Sequence, residues 1–578
     1  MQTNMQSTHA ETMQHPGHAH HAHIPPFLRL MRMAAPEGRE LLAILVYAVG
    51  SGVFTLMGPV VAMAVVNTVA LGTLLQQLFV LCAALFFALG LAAVLSLFQS
   101  VAVEYIQRRI FVRIADNLVY RLPRVDLRAF YRQHGPELIN RFFDVLTIQK
   151  SGATLLLDGV STALQVGIGL LLLSFYHAYL LGFGLVLTAS LVFLFLVLGH
   201  GAVRTSVRES IAKFRVAGWM EEIARHPVAF KMASGEQFAK TTCDAMVAEY
   251  LDARGAHFRI LLRQSVFAFA VQVAASVALL ALGGYLVHTE QLTLGQLVAA
   301  EIVVTLVVGT FAKFGKQLES FYDLLAAVDK IGYLIDLPIE RPGGVVHAGG
   351  AHPAKLDVHD VEFAYEGIQR NTVSRFSMRV GPGDRVAVTG PNGSGKSTLM
   401  DILYGLRSPS AGWVEFDGMD MRELNLEAMR HHIALVQRIE IFEGTLLDNV
   451  RMGRSDIGVS QVRHALEQVG LLETAMALPA GLETPLWTGG SPLSLGHANR
   501  LMLARAIVGR PRLLILDETL EQMDESIQKK IIPLIFDRSA PWTLVLVTHS
   551  PEIQSMCDRV IRLGSEAPAT DPSVSPKI

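Results

Sequence analysis

Cysteine is scarce in this sequence, which has only Cys82, Cys243 and Cys557 among 578 residues. Three such widely separated cysteines form neither a disulfide framework nor the paired spacing of a zinc site. An excess of one charge is also lacking, because 49 Lys and Arg residues face 51 Asp and Glu residues. This balance gives no electrostatic indication of nucleic-acid binding, so we expect no nucleic-acid partner.

Basic residues are missing from three long stretches, namely between Arg39 and Arg108, between Lys150 and Arg204, and between Arg263 and Lys313. Each stretch is long enough for two membrane-spanning helices of about 20 residues and a turn. A single apolar run is compatible with a buried core helix, but six runs in three such pairs favour a lipid bilayer. The predicted helices are at about 41–66, 75–104, 153–176, 178–201, 265–288 and 294–316.

The charged segments between these pairs predict the orientation in the membrane. Residues 105–150 and 202–263 are rich in Arg and Lys, whereas the turns within the pairs carry none. The positive-inside rule therefore predicts that these segments and both termini are cytoplasmic. We expect an integral protein of the bacterial inner (plasma) membrane, with the lipid bilayer as a partner.

Composition divides the chain into five parts. Residues 1–25 form a tail rich in histidine, which is expected to be disordered and leaves metal binding open. An all-α six-helix transmembrane domain with long cytoplasmic extensions follows at 26–336, and a linker with Pro and Gly at 337–354. Residues 355–563 alternate strand and helix patterns, which predicts an α/β P-loop domain. A loose tail occupies 564–578.

The run from Gly390 to Thr398 reads GPNGSGKST and lies between a strand pattern and a helix pattern. Glycines let the backbone curl so that its N–H groups surround phosphates, a lysine reaches the terminal phosphates and a Ser or Thr hydroxyl binds Mg²⁺. The sequence therefore predicts an ATP and Mg²⁺ site formed by Gly390, Asn392, Gly393, Ser394, Gly395, Lys396, Ser397 and Thr398.

Two later strand patterns end in polar side chains of the kind that hydrolysis needs. Asp517 and Glu518 follow Leu513–Leu516, and His549 follows Val545–Thr548. Ligands collect at the carboxyl edge of parallel sheets, so all three are expected near the phosphates. Asp517 suits the Mg²⁺ shell, Glu518 an attacking water, and His549 a contact with the γ-phosphate.

Together these motifs resemble the ATP-binding-cassette (ABC) superfamily over nearly the whole chain. The resemblance implies that Tyr365 stacks on adenine and that Gln437 senses Mg²⁺ and faces the membrane domain. It also implies that Asp524 belongs to a loop crossing a dimer interface, that Glu518 is the catalytic glutamate and that His549 is the switch histidine.

Six helices followed by a cassette on one chain look like an exporter half-transporter, and no internal repeat supplies a second half. The resemblance implies ATP-driven export by alternating access in a homodimer, with a heterodimer as the alternative. The stretch from His288 to Glu319 is similar to the last membrane helix, with its outer turn, of peptide and protein exporters of the type I secretion kind, which would add a periplasmic adaptor. The substrate stays open among peptide, lipid, drug and metal conjugate.

One motif departs from the family. The usual signature LSGGQ is replaced by Leu493-Ser-Leu-Gly-His497, which keeps Ser494 and Gly496 for the partner subunit's γ-phosphate. Tolerated drift, a slowed ATPase, and an ATP-gated channel or regulator with vestigial hydrolysis are the alternatives.

Glu301 lies in the sixth predicted membrane helix. An acid at this position either contacts a cavity or partner, or reaches water at the outer end of the helix.

Overall fold

The computed structural model of the chain describes residues 25–70, 75–128, 140–232, 234–347, 349–350, 352–368 and 370–564, without the side chains of 75, 308 and 310–315. It forms two compact units that divide between Pro338 and Ile339. Most of the histidine-rich tail (residues 1–24), the tail from residue 565 and the cytoplasmic residues 129–139 lie outside the described residues.

The first unit is built of helices. They are α1 (Pro26–Ala34), α2 (Gly38–Thr55), α3 (Met57–Ala70), α4 (Leu75–Arg121), α5 (Asp144–Thr154), α6 (Val160–Tyr176), α7 (Ala178–Phe193), α8 (Ala202–Arg225), α9 (Pro227–Met232), α10 (Glu236–His288) and α11 (Leu294–Ile335). One-turn π-helical segments follow α5 and α7, at Leu155–Gly159 and Leu194–Leu198.

The first predicted membrane helix is interrupted rather than continuous. Helix α2 ends at Thr55 and α3 begins at Met57, with Leu56 between them. Pro59 explains the interruption, because it has no N–H to donate and its ring crowds the carbonyl one turn earlier. A hydroxyl supports the end of α2, since Thr55 Oγ1 donates to Ser51 O at 2.7 Å.

Five helical stretches of the described residues are long and apolar enough to span a bilayer, which is one fewer than the sequence predicts. They are Pro26–Ala70, Gln76–Arg124, Arg141–Tyr176, Ala178–Leu198 and Glu236–His288. The sixth predicted span lies in α11, where the apolar run Leu294–Val307 is shorter. The structure does not describe the side chains of residue 308 and residues 310–315, which follow that run. With these stretches, the protein is an integral membrane protein.

Helices α4, α10 and α11 continue far beyond bilayer length, with 47, 53 and 42 residues. A buried ion pair joins the extended helix α11 to the shorter helix α5, because Lys330 Nζ lies 2.9 Å from Asp144 Oδ2. The Phe214 ring of α8 lies 4.2 Å from the same ammonium group. Pairing and ring contact compensate for burying both charges.

The second unit is an α/β domain with two main sheets. Its strands are β1 (Leu356–Phe363), β2 (Val373–Val380), β3 (Arg385–Thr389), β4 (Ala411–Phe416), β5 (Met419–Asp420), β6 (Ile433–Val436), β7 (Gly444–Thr445), β8 (Pro485–Leu486), β9 (Leu513–Asp517), β10 (Thr543–Val547) and β11 (Arg559–Arg562). Its helices are α12 (Lys396–Leu403), α13 (Leu426–Arg430), α14 (Leu446–Arg451), α15 (Val459–Gln468), α16 (Leu472–Ala477), α17 (Leu495–Ile507), α18 (Glu525–Phe536) and α19 (Pro551–Ser555).

Strand order places the predicted site residues at one edge. The parallel sheet has the order β11-β3-β10-β9-β6, and the antiparallel sheet has the order β2-β1-β4-β5. Within the parallel sheet Val547 is in register with both Val388 of β3 and Asp517 of β9. The chain segments that follow these three strands therefore leave the sheet side by side.

The parallel strands are buried on both faces, as their continuous apolar runs predict. Leu514 and Leu516 of β9 pack into the core formed with the helices of residues 446–536. Leu513 and Ile515 face the opposite way, into the core shared with the antiparallel sheet. This double burial fixes the carboxyl edge of the sheet as a rigid platform.

Candidate functional site

The loop between β3 and α12 requires glycine at its two ends. Gly390 has φ 153° and Gly395 has φ 93°, values that favour glycine. A Cβ atom at Gly390 would lie 2.6 Å from Leu563 O, and one at Gly395 would lie 2.6 Å from Thr372 O. A larger residue at either position would push two backbone segments apart. Glycine at both positions therefore allows the tightly curled loop that binds phosphates.

Lys396 begins α12 and is held over this loop. Its Nζ donates to Gly390 O at 3.0 Å and to Pro391 O at 3.2 Å, and the residue is only 6% exposed. The helix buries most of its remaining residues in the core. The ammonium group, the positive end of an eight-residue helix and the loop N–H groups therefore converge, an arrangement that binds anionic phosphates.

Glu518 lies close to two other predicted site residues, Lys396 and His549. Its Oε1 lies 3.3 Å from His549 Nε2 and 4.0 Å from Lys396 Nζ. Glu518 adopts φ 53°, an unusual conformation for a side chain other than glycine, directly after β9. This backbone turn leaves its side chain 41% exposed beside the phosphate loop, where a carboxylate can polarise water.

Asp517 and Gln437 form the second polar group of the site. Gln437 Nε2 donates to Asp517 Oδ2 at 3.2 Å and to Ser397 O at 3.4 Å. Within the described residues, Asp517 Oδ1 is buried and accepts no hydrogen bond. A buried carboxylate oxygen beside a Ser and a Gln is the oxygen set that Mg²⁺ prefers, so these side chains fit the ion.

Tyr365 lies at the flank of the loop, after β1. Its hydroxyl is 3.0 Å from Thr398 Oγ1, and the guanidinium group of Arg407 lies 4.9 Å from its ring centroid. Arg407 is itself held by a buried ion pair with Asp401 at 2.8 Å. The ring is thus fixed next to the phosphate loop, the position that stacking on a bound base requires.

The altered signature lies at the start of α17. Ser494 is the N-cap, and its Oγ accepts from the His497 backbone N–H at 3.3 Å. Leu495 is 69% exposed, and a Cβ at Gly496 would meet no atom within 4 Å. Burial lowers the pKa of the His497 side chain, and the nearby Arg500 lowers it further.

The structure does not bring every predicted residue together. In the described part of the chain, no hydrogen bond joins Ser494 or Gly496 to the phosphate loop. Asp524 caps α18 without a side-chain hydrogen bond to it.

Sequence reasoning missed three contributors. Arg407 supports Tyr365, Thr372 O sets the space at Gly395, and Glu521 binds the segment that carries His549. An acid three residues after Glu518 is visible in the sequence. Its contact with the end of β10 depends on strand order, so no local pattern indicates it.

Known proteins are similar to much of this chain. Residues 373–521 match the ABC transporter family. A lipid A-core flippase of Paraburkholderia xenovorans is 27% identical over 485 residues, covering 82% of this chain and 80% of the relative. The mycobactin import protein IrtB of Mycolicibacterium thermoresistibile is 29% identical over 474 residues, covering 78% of each.

The fold has a counterpart among solved structures. A bacterial Atm1-family ABC exporter with ATP bound superposes with a TM-score of 0.78 at 19% identity, covering 91% of this chain and 94% of that one. The membrane helices, the phosphate loop and the family match all lie on one polypeptide. The chain therefore has the organisation of an ABC half-transporter, in which membrane helices are followed by a C-terminal ABC transporter domain, an ATPase coupled to transport.

Proposed function

We propose that two copies of this chain close around two ATP molecules and export an amphipathic, lipid-like substrate by alternating access. The meeting of Glu518, His549 and Lys396 within 4.0 Å is the observation that supports the ATP-driven part. ATP binding favours the closed dimer and hydrolysis reopens it, so the chemistry resets a conformational equilibrium.

Each residue of the site then has a defined task. The ring of Tyr365 binds adenine, and the N–H groups of residues 390–398 with Lys396 bind the phosphates. Glu518 accepts a proton from the attacking water or orients it, and His549 donates to the γ-phosphate. Among the described residues, the Glu518 carboxylate lies within 4.0 Å of both Lys396 Nζ and His549 Nε2, which supports a role at the reacting centre.

Ser397, Gln437 and Asp517 would hold Mg²⁺. When bound, the ion would neutralise charge on the phosphate oxygens. The Asp517 carboxylate is fixed for this task because β9 is buried and Gln437 donates to one of its oxygens. Within the described residues, its other oxygen is buried and has no hydrogen-bond donor, which leaves it free to bind an ion.

In the proposed dimer, each nucleotide site is completed by residues of the second copy of the chain. Ser494 and Gly496 present the N-terminus of α17, a 13-residue helix whose N–H groups favour an anion. We assign these groups to the γ-phosphate bound by the partner subunit. The positive-inside rule supports a cytoplasmic location for the ATP-binding domains, and we propose a homodimer, with a heterodimer as the alternative.

We expect that Leu495→Gly combined with His497→Gln raises the basal ATPase rate several-fold. A branched side chain and a lost amide at this contact cost about 1–3 kcal/mol, the range for poorly paired buried polar groups. That energy corresponds to roughly 5- to 150-fold in rate. Steady-state phosphate release at saturating Mg-ATP, in one lipid composition, measures the change.

Val459→Gly is a matched control for the signature variant, because Val459 is also an exposed apolar residue at the first position of a helix. It should leave the rate unchanged. If the double signature variant is as slow as the unaltered chain or slower, the chain has adapted to its signature and the slowed-ATPase hypothesis is wrong.

The relatives support a lipid-like substrate more than a peptide. The lipid A-core flippase aligns over 82% of the chain, so its similarity includes the helical unit as well as the ATPase. The name of the IrtB relative indicates a mycobactin, which differs from a secreted protein. A peptide or protein substrate of the type I secretion kind remains the competing proposal.

Substrate-stimulated ATP turnover tests this choice. The full-length chain is reconstituted in phosphatidylethanolamine and phosphatidylglycerol nanodiscs, and lipid A or an unstructured peptide is titrated in. We expect lipid A to raise turnover saturably, by about twofold or more, because it favours one conformation over the other. Stimulation by the peptide alone would contradict the lipid proposal, and Glu518→Gln protein provides the background rate.

A further inference from the structure

Three hydrogen bonds converge on one carboxylate oxygen of Glu521, a half-buried residue outside the assigned site. Its Oε1 accepts from Thr548 Oγ1 at 2.5 Å, from the His549 backbone N–H at 2.6 Å and from the Ser550 backbone N–H at 3.1 Å. Hydrogen bonds to an ionised acceptor are about twice as strong as neutral ones. The carboxylate thus binds the turn that follows β10.

The segment carrying Glu521 is itself fixed. The hydroxyl of Thr519 donates to Val436 O at 3.0 Å, and Thr519 is 3% exposed. The side chain of Gln528 donates to Leu520 O and to Met523 O, each at 3.0 Å. Glu521 therefore extends from an anchored backbone rather than from a free loop.

His549 depends on this anchor because its own ring has little packing. The side chain is 47% exposed, yet its Nε2 lies 3.3 Å from Glu518 Oε1. Surrounding side chains therefore contribute little to its position, and the backbone at the end of β10 must supply it. Glu521 holds that backbone by its N–H, directly at the histidine.

We propose that Glu521 is a positioning residue that keeps His549 aligned with Glu518 and links it to the segment 519–524. The proposal rests on the hydrolytic roles given above. Glu521 acts through the backbone N–H of His549 rather than through its ring. Because the same segment ends at Asp524, expected at the dimer interface, a movement there would reach the histidine through this carboxylate.

The test compares Glu521→Ala and Glu521→Gln in the full-length chain. The alanine variant should lower kcat for ATP by about tenfold or more, with the KM for ATP within about threefold, because alignment matters in the transition state. The glutamine variant keeps an acceptor oxygen and should recover most of the rate. A milder loss is expected for Thr548→Val, which removes one donor and keeps the side-chain shape.

A double variant separates positioning from general damage. Glu521→Ala with His549→Ala should be no slower than His549→Ala alone, since both changes remove the same contribution. Additive losses would overturn the proposal, as would equal kcat values for Glu521→Ala and the unaltered chain. Glu525→Ala is the control, since Glu525 is 81% exposed and pairs with Lys529.

The proposed function is checked in the same experiment by Glu518→Gln. If that variant turns over ATP normally, the hydrolytic assignment itself fails. If it is inactive while Glu521→Ala retains full kcat, only the positioning role of Glu521 is rejected.

Discussion

Glu518→Gln should reduce ATP turnover by at least about 100-fold, the lower range for removing a general base, while ATP still binds. The amide keeps the size of the side chain but accepts no proton. Glu518 Oε1 lies 3.3 Å from His549 Nε2, and the glutamine can keep a hydrogen bond to that ring. We therefore expect the variant to accumulate as a closed dimer loaded with ATP.

Phosphate release measures the loss of turnover, and the nucleotide retained by the protein shows whether the ATP-loaded dimer accumulates. The purified variant is incubated with Mg-ATP in lipid, and the bound nucleotide is identified after rapid removal of free ligand. Bound ATP in place of ADP is the expected finding. Glu525→Gln is a matched control, because that carboxylate is 81% exposed on α18. Turnover of Glu518→Gln within a few-fold of the unaltered rate would remove Glu518 from its role.

Lys396→Ala should weaken ATP binding by about tenfold or more and suppress hydrolysis, because a charge-assisted contact with the phosphates is lost. The Nζ atom bonds to the carbonyls of Gly390 and Pro391, so the lysine also holds the loop in its curled form. The helical unit does not depend on this contact and should remain folded. Lys396→Arg should not restore activity, since a planar guanidinium group differs from a compact ammonium group.

Fluorescent-nucleotide titration and size-exclusion chromatography test the lysine variant together. Lys529→Ala is the control, because Lys529 is 74% exposed and pairs with Glu525. An intact detergent-solubilised protein that binds and hydrolyses ATP normally without Lys396 would overturn the phosphate-loop assignment. Loss of binding accompanied by aggregation would instead identify Lys396 as a structural residue, contrary to our expectation.

Several features were determined by sequence because they depend on local chemistry. Stretches without Lys or Arg predicted membrane helices, since a bilayer penalises charge wherever it lies in the chain. Glycines at 390 and 395 predicted the phosphate loop, because few other residues adopt its backbone conformation. Pro59 also carried the information for the break after Thr55, although the apolar pattern alone suggested a continuous helix.

Tertiary structure decided which distant residues meet. Strand order in the parallel sheet puts β10 between β3 and β9, so His549, Lys396 and Glu518 converge although each belongs to a different segment. The same adjacency brings Glu521 to the backbone of His549. Such contacts follow from packing and register across the sheet. The sequence by itself determined five of its six predicted membrane spans and the phosphate loop, and only the fold decided how Glu518 and His549 are held.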